Sequence, residues 1–171
     1  MAAAARLLGA TLFCAGLPDA TLADTHPNRR KLTAILRRFR PTLLLAHAPD
    51  DYHPDHRAAA ALADAASWFC ASRGYKSGPA PLAAAPALWW MDTVTMTGFD
   101  PAFFVDISPY LALKERMLAC HRSQLARGRD KDFSGLIPLM RQQAHARGAQ
   151  AGVAAAEAFR PHHAFKRARA W

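Results

Sequence analysis

His53-Pro54-Asp55-His56 sets two imidazoles three residues apart with a carboxylate between them. Imidazole is the commonest metal ligand and titrates close to neutral pH, so this set can bind a metal and move protons. Proline suits the first turn of a helix and drives the residue before it into an extended conformation. The spacing therefore predicts His53 at a helix cap and His56 in the first turn. Asp55 is placed to orient one imidazole from behind. A polar loop with two solvated histidines has the same letters, and the surrounding strand–loop–helix pattern favours function over it. Nearby, His47-Ala48-Pro49-Asp50-Asp51 could complete a local metal site with His56. Against that, all these groups lie close together in sequence, and a single loop rarely closes a catalytic site unaided. A catalytic zinc takes three protein ligands and keeps one position open, and the histidine motif alone does not supply three.

The elements that must position these residues alternate strand and helix. An apolar run at 42–46 predicts a strand, and the alanine-rich stretch 54–71 a helix. The motif then sits beyond the carboxyl end of a strand, where open α/β sheets bind ligands. A helix amino terminus also disfavours imidazolium. Upstream, a strand is expected at 11–15, a turn at Leu17-Pro18-Asp19 and a helix over 28–39. In that helix Leu32, Ile35, Leu36 and Phe39 recur at helical spacing, and Pro41 ends it. Residues 74–86 read as a Gly/Pro/Ala-rich loop, 88–91 and 103–107 as strands. Ser108-Pro109 opens a helix to about 126, and a weaker helix lies near 137–146. Asp106 reads as a capping or pairing residue and not a catalytic one. The alternation predicts an α/β fold with a mainly parallel sheet. The chain opens inside a helix, where such a domain normally has a strand first.

The 171 residues carry a formal charge of +9 and are 51% apolar, which predicts one globular domain over 1–159 and a basic tail over 160–171. The charge raises nucleic acid or anionic lipid as partners. However, the basic residues fall on the outer face of one helix (Arg29, Arg30, Lys31, Arg37, Arg38) and in the tail, with few aromatics for stacking. Nucleic acid is therefore disfavoured. Cys14, Cys70 and Cys120 are odd in number and lack CxxC spacing, which predicts buried, unpaired thiols and a cytoplasmic setting. The first 17 residues read either as a signal peptide or as a helix followed by a buried strand. No apolar run reaches the ~18 residues of a membrane span. His26, His145, His162 and His163 read as surface residues. Trp89-Trp90 reads as part of a strand edge before a sugar platform.

Taken together, the motifs resemble the LmbE-like, or PIG-L-type, de-N-acetylases, zinc enzymes acting on N-acetylglucosaminyl compounds. Leu17-Pro18-Asp19 is similar to the segment after the family's third strand. Arg40-Pro41, then Asp51-x-His53-Pro54-Asp55-His56-Arg57-Ala58-Ala59, is similar to its second signature. Phe104-Val105-Asp106-Ile107-Ser108, followed by Lys114 and His121-x-Ser123-Gln124, resembles its third. Ala156-Glu157-Ala158-Phe159-Arg160 resembles its closing segment. The order holds from about residue 5 to residue 160. The family's first signature, Ala-His-Pro-Asp-Asp, has no counterpart in place.

The resemblance implies a Rossmann-like, mainly parallel sheet flanked by helices, without the family's first strand and helix. It implies Zn2+ as cofactor with His56 as its one ligand here, His53 as acid or oxyanion-stabilising group, and Asp55 polarising His53. Asp51 and His121 would stand behind these residues, although His121 shares a face with Met117 and Leu118 and also reads as a core histidine. A small-molecule amino-sugar substrate and a homo-oligomer belong to the same expectation. With the first signature missing, the chain as written would hold zinc weakly or not at all and be impaired. A missing strand would also expose an apolar sheet edge. Two other readings stay open: a non-catalytic remnant serving as binding or oligomer partner, and, less favoured, a basic nucleic-acid-binding module.

Overall fold

The computed structural model describes residues 1–126 and 135–164. Of the basic tail, 165–171 lie outside the described residues. The described elements run α1 (Ala2–Leu8), α2 (His26–Phe39), β1 (Leu43–His47), α3 (Pro54–Phe69), β2 (Ala87–Met91) and β3 (Phe103–Asp106). A 3-10 turn (Ser108–Tyr110), α4 (Leu111–Ala119), α5 (Arg122–Ala126), α6 (Leu136–Ala151) and β4 (Ala156–Pro161) follow. The expected strand–helix alternation is therefore present, and the fold is α/β. The four strands take the order β1-β2-β4-β3. β1 and β2 are parallel, from Leu43↔Ala87 to His47↔Met91. β4 runs antiparallel to β2, from Trp89↔Pro161 to Met91↔Phe159, so the sheet is mixed.

The backbone divides into two compact units. The first holds 15–93, 97–102 and 159–164, and the second holds 1–14, 94–96 and the described part of 103–158. In the first unit, α2 begins where the Thr25 hydroxyl accepts the Asn28 N–H at 3.4 Å, with proline in the first turn. Its Leu36 packs with Ala66, Cys70 and Leu82, flanked by Leu32 and Leu44, which fixes α2 and α3 against β1.

Arg37 is not on the outer face that the periodicity assigned to it: it is 4% exposed. Its guanidinium donates to the carbonyls of Phe69, Cys70, Ser72, Tyr75, Ser77 and Pro79. Helix ends leave carbonyls without partners, and a planar group with five N–H donors is suited to gather them. One buried arginine thus ends α3 and ties down the loop after it.

In the second unit, α4 packs on α1 and α6, and Ile107, Ala144, Ala155 and Leu111 form a small core. A Cβ on Gly148 would come within 2.8 Å of Ala155 N and Val153 O, so only glycine lets α6 meet the turn after it. The helix expected over 108–126 is broken at Cys120-His121 into α4 and α5.

The strand expected at 11–15 is absent. Leu12 and Phe13 are exposed there, and an extended segment with no ladder partner does not persist as a strand. Cys14, expected to be buried, is exposed as well; Cys70 is buried and Cys120 intermediate. β4 was visible only as a motif, not as a strand, because three of its first four residues (Ala156, Ala158 and Phe159) are all buried, which hides the two-residue alternation. Among the described residues no helix is long and apolar enough to cross a membrane.

Candidate active site

β1 delivers His47 at its last position, and the chain then turns, with the Asp51 N–H donating to the Ala48 carbonyl at 3.3 Å. Asp51 is buried, at 3% exposure. Its Oδ1 accepts the His53 N–H at 2.9 Å and faces His56 Nδ1 at 3.0 Å. Arg57 Nη1 donates to the carbonyls of Asp51 and Tyr52, both at 2.8 Å, which fixes the loop against the first turn of α3.

His53 is the N-cap of α3, as its place before proline predicted, with φ −85° and ψ 128°. Its Nδ1 accepts the Asp55 N–H at 3.2 Å, so a neutral His53 carries its proton on Nε2 and presents a donor. His56 sits in the first turn as expected.

Asp55 departs from its expected role. Its carboxylate accepts the N–H groups of Ala20 at 2.7 Å and Leu22 at 3.2 Å. What links Asp55 to His53 is its backbone N–H, not the carboxylate. The carboxylate binds the segment before α2 to the start of α3. A contact spanning more than thirty positions has no signature in the motif.

Three imidazoles gather here. His47 and His56 stack with centroids 4.0 Å apart and planes 9° from parallel. His53 and His56 lie 4.7 Å apart at 29°. Exposed Tyr52 meets both His53 and His56 edge-on. Burial, and next the neighbouring His56, hold His47 below the usual imidazole range, against the pull of Asp51. Ligand atoms of His47, Asp51 and His56 all lie within 4.8 Å of one another. Two imidazoles and a carboxylate are donors of the type zinc takes. His56 has the form of a metal ligand: one ring nitrogen on a buried carboxylate, the other left with its lone pair. On this last ground His56 fits a metal, with Asp51 behind it. The sequence did name this local cluster, but ranked it low because nothing in the letters shows that the turn folds back onto α3.

At the rim, Asp50 pairs with Arg160 of β4 at 3.2 Å, and the Arg160 guanidinium lies 5.4 Å from the Phe99 ring centroid. His121 belongs to the second unit and is half-buried between α4 and α5, where its carbonyl accepts the N–H of Gln124 at 3.0 Å. Asp106 precedes Ile107, the N-cap of the 3-10 turn, and its Oδ1 accepts both N–H and O–H of Ser108. His162, expected at the surface, is half-buried against Asp64 at 3.1 Å and Trp90.

A family model described as PIG-L, GlcNAc-PI de-N-acetylase, matches residues 1–67. Among solved structures, the conserved protein TT1542 from Thermus thermophilus is 32% identical with a TM-score of 0.80, over 99% of this chain and 75% of that one. The N,N'-diacetylchitobiose deacetylase from Pyrococcus horikoshii, complexed with its inhibitor MPG, is 27% identical with a TM-score of 0.70, over 94% of this chain and 60% of that one. GalB, the 4-carboxy-2-hydroxymuconate hydratase from Pseudomonas putida KT2440, is 22% identical with a TM-score of 0.75, over 95% of this chain and 69% of that one. At that identity it shares the fold alone.

Proposed function

The chain belongs to the PIG-L (LmbE-like) family, and on that premise we propose that it serves zinc-dependent hydrolysis of an N-acetyl group on an N-acetylglucosaminyl-type compound. The observation that carries this reading is His56, its Nδ1 on buried Asp51 and its other nitrogen open, beside His53 at the end of β1. The identity with a solved deacetylase supports the reaction class.

In this reading His56 holds the metal and Asp51 fixes the His56 ring. A bound zinc supplies Lewis acidity toward the acetyl carbonyl and a water of lowered pKa. His53, with its proton on Nε2, donates to the oxygen that gains charge as water adds to the amide carbon. The proton taken from the water passes to the leaving amine as the C–N bond breaks, giving acetate and a free amino sugar, while His53 stays neutral. Asp51 and Asp55 are both committed to N–H groups. With Asp50 paired to Arg160, the reading assigns one metal ligand and no acceptor for the water's proton within residues 47–57. The chain 1–171 should accordingly hold zinc weakly and turn over slowly.

Release of acetate from an N-acetylglucosaminyl compound, with and without added zinc, tests this. We expect slow, zinc-dependent release that His56→Ala removes. Release that is equal with and without zinc, or unchanged in His56→Ala, would overturn the proposal.

A further inference from the structure

We propose that His47 is a positioning residue that holds the His56 imidazole by ring stacking and does not itself bind the metal. The inference rests on the reading of His56 as a ligand. Its ground is the geometry of the stack. An imidazole nitrogen donates through a lone pair in the plane of its ring, so a metal shared by two imidazoles must lie in both planes. The planes of His47 and His56 are only 9° from parallel, with centroids 4.0 Å apart. Planes so nearly parallel meet far beyond any bond length, whereas a zinc–nitrogen bond is about 2.0–2.1 Å. The proximity of their ligand atoms within 4.8 Å is therefore that of stacked rings, not of rings converging on one ion.

The stack has work to do at His56. The contact from Nδ1 to Asp51 Oδ1 fixes one corner of the ring, and the ring can still rock about that contact, carrying Nε2 with it. His47 removes this freedom from a rigid base. It is the last residue of β1, in register with Met91 of β2. His56 stands on the first turn of α3. The ring contact thus joins the end of a strand to the start of a helix, and His53 adds a second, looser ring contact.

The test compares His47→Phe, His47→Leu and His47→Ala with the unaltered chain. Phe keeps a flat ring without nitrogen, Leu keeps bulk without a flat face, and Ala keeps neither. Two quantities are read: zinc affinity, by NMR titration following the backbone amide signals of residues 47–57, and the His56 tautomer in metal-free protein, by imidazole 15N shifts. We expect His47→Phe to stay within about threefold of the unaltered affinity with the Nδ1–H tautomer intact. His47→Leu and His47→Ala should lose about tenfold or more, the usual worth of a partner behind a ligand, with the tautomers mixed. A loss in His47→Phe as large as in His47→Ala would show that the ring nitrogen matters and overturn the proposal. So would no loss in His47→Ala. If His56→Ala leaves zinc affinity unchanged, the ligand reading itself fails; the metal-free tautomer then still decides whether His47 holds His56.

Discussion

His53 and Asp55 sit two positions apart, yet they answer to different tests. His53 presents Nε2–H because its Nδ1 is occupied by the Asp55 N–H. His53→Ala is expected to keep zinc while lowering turnover by roughly 10²–10³ toward the uncatalysed background, the usual worth of an oxyanion donor. Near-unaltered turnover would remove that role. Asp55→Ala is expected to show itself in stability. Charged hydrogen bonds such as those to Ala20 and Leu22 contribute about 1.5–3 kcal/mol each at most, and denaturant unfolding should register a loss of that order. A loss of turnover with no loss of stability would restore Asp55 to the polarising role that the motif suggested. The placement of His53 and His56 was legible in sequence because a proline cap is a local signal. The partners of Asp55 were not, since they come from a distant segment.

At the scale of elements, α2 depends on two arginines used in opposite ways. Arg37 is buried among six carbonyls. Arg37→Leu leaves several of them without donors, at about 1–3 kcal/mol for each that water cannot reach. A total loss of about 3 kcal/mol or more is expected in urea unfolding, and a loss under 1 kcal/mol would contradict the hub. Helical periodicity assigned Arg37 to the surface because composition patterns treat arginine as solvated, and nothing local marks a carbonyl cage. Arg29 instead pairs with Asp24 just before α2, and its hydrogen bond holds the Asp24 carboxyl below the usual range. With the folded pKa below the unfolded one, the pair's stability is fully present above the ordinary carboxylate pKa and is lost as pH falls through the lower folded value. Asp24→Asn should therefore lower stability at neutral and alkaline pH and lose part of the acid-side slope, leaving the two proteins closest in stability in acid. β1 lies at the end of the sheet order and carries exposed Leu45, the kind of apolar edge that invites pairing. Leu45→Lys is expected to reduce self-association in light scattering with stability within about 0.5 kcal/mol.

For the whole chain, the sequence made the α/β class and most helix spans readable, because apolar spacing and caps are local properties. It misplaced what depends on pairing. Residues 11–15 are apolar enough for a strand but have no ladder, whereas 156–161 form one although their burial pattern conceals it. The same limit applied to the site. His47 and Asp51 were in view, but only the fold of the turn shows that one ring lies flat on His56 and that the carboxylate stands behind it. The measurement that tests the central claim most directly is zinc titration of the chain, with His56→Ala and, as a control away from the site, His145→Ala. Weak saturable binding, lost in His56→Ala and kept in His145→Ala, is the expected result. Binding that survives His56→Ala undiminished would contradict the assignment of the metal to His56.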